Sequence, residues 1–302
     1  MTARDPSRTA DPAPAGRAPV IGRVEAPGIH VMSWNIRRPV PAPLTRAADR
    51  WAVRAPRLRA LLASELPTVL CAQEVTTAQA VTVLDGLGRG FGHIGRGRGS
   101  DGGGEACPIF YDTVRLELLD WDQVSLSDTP HRPGSVSWGN LFPRVLVSGH
   151  FRDRVTDREF LVLNTHLDPL SARSRVRSAR FIRDLVDGRE IPGVVAGDLN
   201  AGPADESVRE LLADGTLADS WGVAESRRTG LWGTYGAYRE PRRGGARIDW
   251  ILATSDVKVT DAAVNPLRYG GGWPSDHLPV QVVVRPGRQR HETRDEEGAG
   301  ET

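Results

Sequence analysis

The chain has 302 residues, 39% apolar and 25% charged, a mixture that builds a core for one large domain or two ordinary ones. Its 39 basic and 38 acidic residues give a formal net charge of +1, which excludes a surface made to coat long nucleic acid and leaves room for a local basic cleft. Two cysteines, Cys71 and Cys107, exclude a disulfide scaffold and a cysteine-based metal centre.

Both cysteines sit in apolar runs, which fits a reducing compartment. No run approaches the ~18 apolar residues of a membrane span. MTARDPSRTADPAPAGRAPV at the start has no apolar signal region, so the chain reads as cytoplasmic, and as a monomer. Residues 1–27 are Pro/Ala/Arg-rich and 286–302 are charged and Gly-containing; both read as disordered tails around one catalytic domain, 28–285.

In chain order, IHVMSWN (29–35) predicts a strand running into a loop. Ala47 to Ser64 places Trp51, Arg54, Leu58, Leu61 and Leu62 at helical spacing. TVLCAQE (68–74) predicts a buried strand and Thr77 to Leu87 a second helix. GRGRGSDGGGEA (95–106) is a glycine-rich loop, followed by strands at CPIFY and VRLELLDW and an irregular loop, 125–143, carrying Trp138 and Asn140. RVLVSGHF and EFLVLNTH predict paired strands joined by a charged turn. A helix follows over Ala172 to Asp187, then a strand breaking into a polar turn at PGVVAGDLN and a short helix over Glu206 to Ala213. RIDWILAT, VKVTDAAV and LPVQVVV are closing strands. Strands interleaved with helices, yet also adjacent to one another, favour a layered α/β sandwich with mixed sheets over a wound βαβ fold.

Polar residues gather at the ends of these strands: Asn35, Glu74, the trio Asn164, His166 and Asp168, then Asp198 with Asn200, Asp249 inside RIDWIL, and Ser275-Asp276-His277 before LPVQVVV. Each has an ordinary explanation. Asn35 suits a turn, Glu74 a helix N-terminus, GDLN an Asx-type turn, and His166 a satisfied core histidine. Asp249, between Ile248 and Trp250, is harder to dismiss, because a buried carboxylate needs a partner or a metal. Independent ordinary explanations for all six are implausible together.

Oxygen ligands from Glu74, Asp198 and Asp276, with the amides of Asn35 and Asn200, suit Mg²⁺ or Mn²⁺. Two histidines nearby add proton transfer and phosphate contacts. HExxH, GxSxG and Walker A motifs are absent, which argues against a zinc hydrolase, an acyl hydrolase and a nucleotide-driven kinase or ATPase.

The ordered set SWNIR, QE, NTHLD, GDLN, RIDW and SDH resembles the endonuclease/exonuclease/phosphatase superfamily across essentially the whole of 28–285. The resemblance implies a four-layer α/β sandwich, two mixed β-sheets packed face to face and flanked by helices. It also implies Mg²⁺-dependent cleavage of a phosphate ester by activated water. By the same resemblance Asn35 and Glu74 hold the metal with Asp276 beside it, and Asp198 and Asn200 orient the water and phosphate. His166 contacts the scissile phosphate, and Asp249 fixes the tautomer of His277. Whether Asp198 or His277 takes the proton stays open.

Arg37 stands two residues after Asn35, where many nucleases of the family carry an acid, which points away from the AP endonucleases. The histidine of NTHL is closer to the sphingomyelinase, deadenylase and deoxyribonuclease branches. GEACPIFYD and SWGNLFPR look like a bacterial branch of mostly uncharacterised hydrolases. That similarity implies that Glu105 orients His166 and that Arg144 binds substrate phosphate, with Asp168 also in the substrate-binding set; a plain surface arginine remains the alternative for Arg144. Arg173, Arg177 and Arg180 share a helix face, read as a solvated face over an anion-binding rim.

The sequence therefore predicts a Mg²⁺-dependent phosphoric ester hydrolase cleaving a phosphodiester or phosphomonoester. Near-zero charge tilts the substrate toward a small or lipid-linked ester, with a nuclease on DNA or RNA as the alternative. A catalytically inactive binding module would have lost Glu74, Asp198 or His277, and all are present.

Overall fold

The structure is a computed structural model, and it describes residues 18–41 and 45–287. The strands and helices, in order, are β1 (Ile29–Asn35), α1 (Trp51–Glu65), β2 (Val69–Gln73), α2 (Thr77–Leu87), β3 (Phe91–Ile94), β4 (Ile109–Asp112), β5 (Leu116–Ser125), β6 (Val145–Asp153), β7 (Arg158–His166), α3 (Ala172–Asp187), β8 (Gly193–Asp198), α4 (Glu206–Leu211), β9 (Leu217–Asp219), α5 (Ser220–Val223), β10 (Ser226–Arg227), β11 (Asp249–Thr254), β12 (Val257–Val264) and β13 (Val280–Pro286). β3, β9, α5 and β10 have no counterpart in the sequence reading; at two to four residues they are too short to show a period.

One sheet has seven strands in the order β10-β12-β13-β1-β2-β4-β3, the other six in the order β5-β6-β7-β8-β11-β9. Both are mixed: β1 runs parallel to β2 and β7 parallel to β8, beside antiparallel neighbours. The two-residue period of each strand sends alternate side chains to opposite faces. Val31, Cys71, Val162, Ala196, Ile251 and Val282 meet between the sheets. Met32, Trp34 and Leu70 face outward onto Leu58, Leu61 and Leu62 of α1 and Val83 of α2. Leu163, Val195 and Leu252 face Ala179 and Ile182 of α3 and Val208 of α4. These are the four layers expected of the sandwich.

The sheets are also joined by a buried polar bridge. Gln73 Nε2 donates to Asn164 Oδ1 at 2.8 Å, and Asn164 Nδ2 donates to the carbonyls of Ala72 and Pro108, both at 2.9 Å. Asn164 is fully buried and ties the two halves together just behind the strand ends.

The folded part begins before Gly28, which corrects the boundary of the first tail. The backbone N–H groups of Val20, Ile21 and Gly22 donate to the Glu65 carboxylate at 2.8, 3.1 and 3.1 Å, and Asn265 Nδ2 adds a fourth bond at 2.9 Å. Backbone donors pin this segment, so its Pro/Gly/Ala composition did not reveal it. The rest of that tail, 1–17, and 288–302 of the second lie outside the described residues. Among the described residues no helix is long and apolar enough to cross a membrane.

Candidate active site

Strand alternation places the site. Phe160, Val162, Asn164 and His166 share the inward parity of β7, as do Val194, Ala196 and Asp198 on β8 and Asp249, Ile251 and Ala253 on β11. The register puts His166 opposite Asp198 and Asp198 opposite Asp249. Three polar residues thus stand in one row across three neighbouring strands, at the last inward position before the mouth. Asn35 ends β1 in the facing sheet, opposite Gln73 of β2.

The turns after these strands are held in unusual backbone conformations. Arg37, Glu74 and Asn200 all have left-handed φ values of 57°, 58° and 49°, which for residues with a Cβ costs on the order of 1–3 kcal/mol each. Such strain persists only where surrounding bonds impose it, and here they do. Arg37 N–H donates to Asn35 Oδ1 at 2.9 Å, and Asn200 N–H to Asp198 Oδ1 at 2.9 Å. Asn200 Nδ2 also donates to the Leu167 carbonyl at 2.9 Å, locking the GDLN turn against the end of β7. In the same motif Gly197 is required by close approach, since a Cβ there would lie 2.2 Å from the Thr165 carbonyl oxygen.

Asp198 is the hub. Its Oδ2 accepts from Asn35 Nδ2 at 3.0 Å and lies 3.6 Å from His166 Nε2 and 3.8 Å from His277 Nε2. Burial and the nearby charge of Asp249 raise its pKa above the usual carboxylate range, against the pull of the two imidazoles. His277 Nδ1 lies 2.9 Å from Asp249 Oδ2. Burial alone would lower the His277 pKa, but the carboxylates of Asp249 and Asp198 outweigh it and raise it to about 10. His166 moves the other way, lowered mainly by burial. The two histidines therefore hold different charge states at neutral pH. The remainder of the SDH turn is fixed by Ser275, whose Oγ donates to the Asn35 carbonyl at 2.6 Å, and by Trp34, whose Nε1 donates to the His277 carbonyl at 3.1 Å.

Glu74 sits across the cleft. Its Oε1 accepts from Asn35 Nδ2 at 3.1 Å and its Oε2 from Arg38 N–H at 3.0 Å. Burial would raise its pKa, but His166, the Arg38 amide, Asn35 and Arg37 bring it down to about 2. It is a half-buried carboxylate that stays ionised, the donor a hard divalent cation selects. Asn35 Oδ1, the atom an ion would use, already accepts the Arg37 amide and keeps one lone pair. Asp198, Asp249 and His277 also offer ligand atoms within 4.8 Å of one another.

An open cleft of about 380 Å³ is lined by Glu74, Glu105, Arg144, His166, Asp168, Asp198, Asn200, Asp276 and His277. Asn35 and Asp249 lie directly beneath, bonded to Asp198 and His277. All eleven residues singled out in the sequence therefore converge. Two have different partners from those expected. Glu105 is held by Arg38 and Arg98, each at 3.1 Å, in place of His166. It arrives there because the glycine-rich loop folds back on itself, with Arg98 N–H donating to the Glu105 carbonyl at 2.9 Å. Asp168 turns inward: Oδ2 accepts from Arg144 Nε at 3.2 Å and Oδ1 caps the Leu170 and Ser171 amides at 2.9 and 2.8 Å. Arg144 is no surface arginine. It is buried, and its Nη1 has no partner among the described residues.

On α3, Arg180 pairs with Glu210 and Arg177 with Asp128, outside the cleft, as a solvated face would. The sequence reading missed Tyr235, whose ring is 4.9 Å from that of His277, and the exposed apolar rim of Leu141, Phe142 and Leu170. Loop residues without periodicity carry no signal of their position.

Fold and cleft together define a class of protein, the four-layer α/β sandwiches with a polar cleft at the strand ends. Residues 32–277 match the endonuclease/exonuclease/phosphatase family, and the chain belongs to it. It is similar to a solved endonuclease/exonuclease/phosphatase family protein from Bacteroides thetaiotaomicron, with 28% identity, a TM-score of 0.79, and coverage of 85% of this chain and 97% of that one. A mannosyl-6-phosphatase from the same organism gives 29% identity and a TM-score of 0.77 over 85% of this chain and 99% of that one. Protein angel of Drosophila melanogaster is 28% identical over 56% of this chain and 48% of its own. The chain spans about half the length of the curated relatives it matches.

Proposed function

We propose that the chain is a Mg²⁺- or Mn²⁺-dependent phosphoesterase that cleaves a small or lipid-linked phosphate ester, with Asp198 as general base and His277 as cationic phosphate partner. The observation that carries this reading is the position of Asp198 Oδ2, within 3.8 Å of both imidazoles and hydrogen-bonded to Asn35.

Glu74, with Asn35 and Asp276 as further oxygen donors, fits a hard divalent ion. When bound, such an ion polarises the P–O bond and offsets the charge of the ester. The protein's own groups do the rest. Asp198, with its raised pKa, is a stronger base than an ordinary aspartate and takes the proton of the attacking water. Asn200 N–H on Oδ1 holds that carboxylate in one orientation. His277, kept as imidazolium by Asp249, presents Nε2 to the charge that develops on the phosphoryl oxygens. His166, neutral, offers a second ring contact, and the unpartnered Nη1 of Arg144 is a donor already stripped of water, suited to a phosphate oxygen.

Net charge of +1 and the likeness to a mannosyl-6-phosphatase support a small substrate. The arginines lining the cleft, Arg37, Arg38, Arg98 and Arg144, suit a nucleic-acid backbone equally, so the test spans both. The 302-residue chain is assayed with bis-p-nitrophenyl phosphate, p-nitrophenyl phosphate, sugar and inositol phosphates, sphingomyelin, plasmid DNA and RNA. Turnover that EDTA abolishes and Mg²⁺ or Mn²⁺ restores is expected, strongest on a small ester. Hydrolysis indifferent to EDTA, or none on any substrate, contradicts the reading.

A further inference from the structure

Three large apolar side chains stand exposed at the mouth of the cleft. Leu141, Phe142 and Leu170 are 69%, 58% and 74% exposed, and all three line the same cleft as Arg144, His166 and His277. Leu141 and Phe142 belong to the loop before β6, and Leu170 to the loop after β7. Single exposed apolar residues need no explanation, but three at one polar mouth do. Phe142 is two residues from Arg144, about 7 Å of extended chain, and Arg144 Nη1 is buried without a partner among the described residues.

The loops that carry them are cross-braced. Ser171 Oγ donates to the Trp138 carbonyl at 2.7 Å, which ties the loop after β7 to the loop before β6. Trp138 Nε1 donates to Asp128 Oδ1 at 2.7 Å, pinning the second loop to its own start. Asp168 joins this apolar lip to the arginine: one carboxylate oxygen accepts from Arg144 Nε at 3.2 Å, the other from the Leu170 amide at 2.9 Å. Guanidinium donor and lip are thus set at a fixed spacing before a ligand arrives, which lowers the entropic cost of binding one that spans both.

We propose that Leu141, Phe142 and Leu170 are specificity-determining residues, which bind an alkyl chain carried by the phosphate ester whose oxygen meets Arg144. The inference rests on the phosphoesterase reading above and selects, within it, alkyl esters over sugar phosphates and nucleic acid. An ester bound at Arg144 can lay its organic substituent along the lip, where each methylene that leaves water gains free energy. A sugar would set hydroxyls against side chains that offer no hydrogen bond. A nucleobase needs an aromatic face. Two of the three residues are aliphatic, and the guanidinium of Arg98 lies 5.5 Å over the ring of Phe142, taking one face of the third.

The test measures kcat/KM of the 302-residue chain, with Mg²⁺, on alkyl p-nitrophenyl phosphates and monoalkyl phosphates from ethyl to octyl, kept below their micellar concentrations. Wild type is expected to gain roughly twofold per added methylene, since an open lip dries only about half of the chain's surface. The triple variant Leu141→Ser, Phe142→Ser, Leu170→Ser is expected to give a flat series, and Leu141→Met, Phe142→Leu, Leu170→Met, which keeps the apolar area, to recover the slope. A flat series in wild type, an unchanged slope in the serine variant, or faster turnover of sugar phosphates or DNA than of the octyl esters overturns the proposal. If circular dichroism shows the serine variant unfolded, the wild-type slope decides alone, a rise supporting and a flat series contradicting. Phosphatidylcholine vesicles carrying a long-chain alkyl phosphate separate the sources of the chain: given the slope, preference for the vesicles assigns the lip to a membrane lipid, and preference for the soluble octyl ester to a free one. No turnover of any ester removes the phosphoesterase reading and this proposal with it, a different outcome from turnover without a slope.

Discussion

His277 Nδ1 and Asp249 Oδ2 lie 2.9 Å apart in a buried pair, one residue from the SDH turn and the other from the first position of β11. Asp249 is fully buried inside an otherwise apolar strand, a costly position that the imidazolium makes tenable. Thr234 Oγ1 accepts the N–H groups of Ile248 and Asp249 at 3.0 and 3.1 Å, so the strand entry cannot rotate away. The pairing fixes the tautomer of the ring and turns Nε2 toward Asp198 and the cleft.

Replacing Asp249 with Asn should therefore leave the fold intact and lower kcat by roughly 10²–10⁴-fold, the scale seen when the carboxylate behind a catalytic histidine is neutralised. Steady-state kinetics with circular dichroism on the same preparation checks this. A loss under tenfold contradicts the role given to the pair.

The same pair makes stability depend on pH. His277 is raised from 6.5 to about 10, so over that interval the folded chain holds a proton the unfolded chain has lost. Its contribution is complete below pH 6.5 and disappears as pH rises through about 10. The urea midpoint should fall from pH 7 to pH 10, and fall less in Asp249→Asn. Equal slopes in the two proteins would show that the proton is held elsewhere.

Arg144→Met should raise KM and lower kcat/KM. A lost hydrogen bond to a charged oxygen is worth about 1.5–3 kcal/mol, roughly ten- to 150-fold. Asp168→Asn should shift kcat/KM in the same direction by less, because it loosens the Arg144 side chain without removing it. An Asp168 variant more damaged than Arg144→Met would mean that Asp168 itself meets the substrate.

Gly197→Ala tests the motif as structure. Its Cβ would meet the Thr165 carbonyl at 2.2 Å, backbone against backbone in the middle of the sheet. The expected cost is at least about 1–3 kcal/mol, read from denaturant midpoints. An unchanged midpoint would mean that β7 and β8 are not packed as described.

Much of this was legible because strands alternate. Phe160, Val162, Asn164 and His166 already display the inward face of β7, and the GDLN and RIDW runs repeat the pattern. The convergence of the six polar clusters followed from strand ends alone. Side-chain partners at the mouth did not follow. Glu105 pairing with Arg98 depends on a glycine-rich loop, and Asp168 pairing with Arg144 on an irregular loop with left-handed Trp138 and Gly139, where no period exists. The docked segment before Gly28 was hidden for a related reason: its anchors are amide hydrogens, which every residue except proline carries.

The most direct test of the central claim is the Mg²⁺-dependent hydrolysis of bis-p-nitrophenyl phosphate by wild type and by Asp198→Asn, matched in folding by circular dichroism. With Asp198 as general base, wild type turns over, and the isosteric amide, which cannot accept the proton, loses on the order of 10²–10⁴-fold in kcat. Turnover by Asp198→Asn at the wild-type rate would contradict the account.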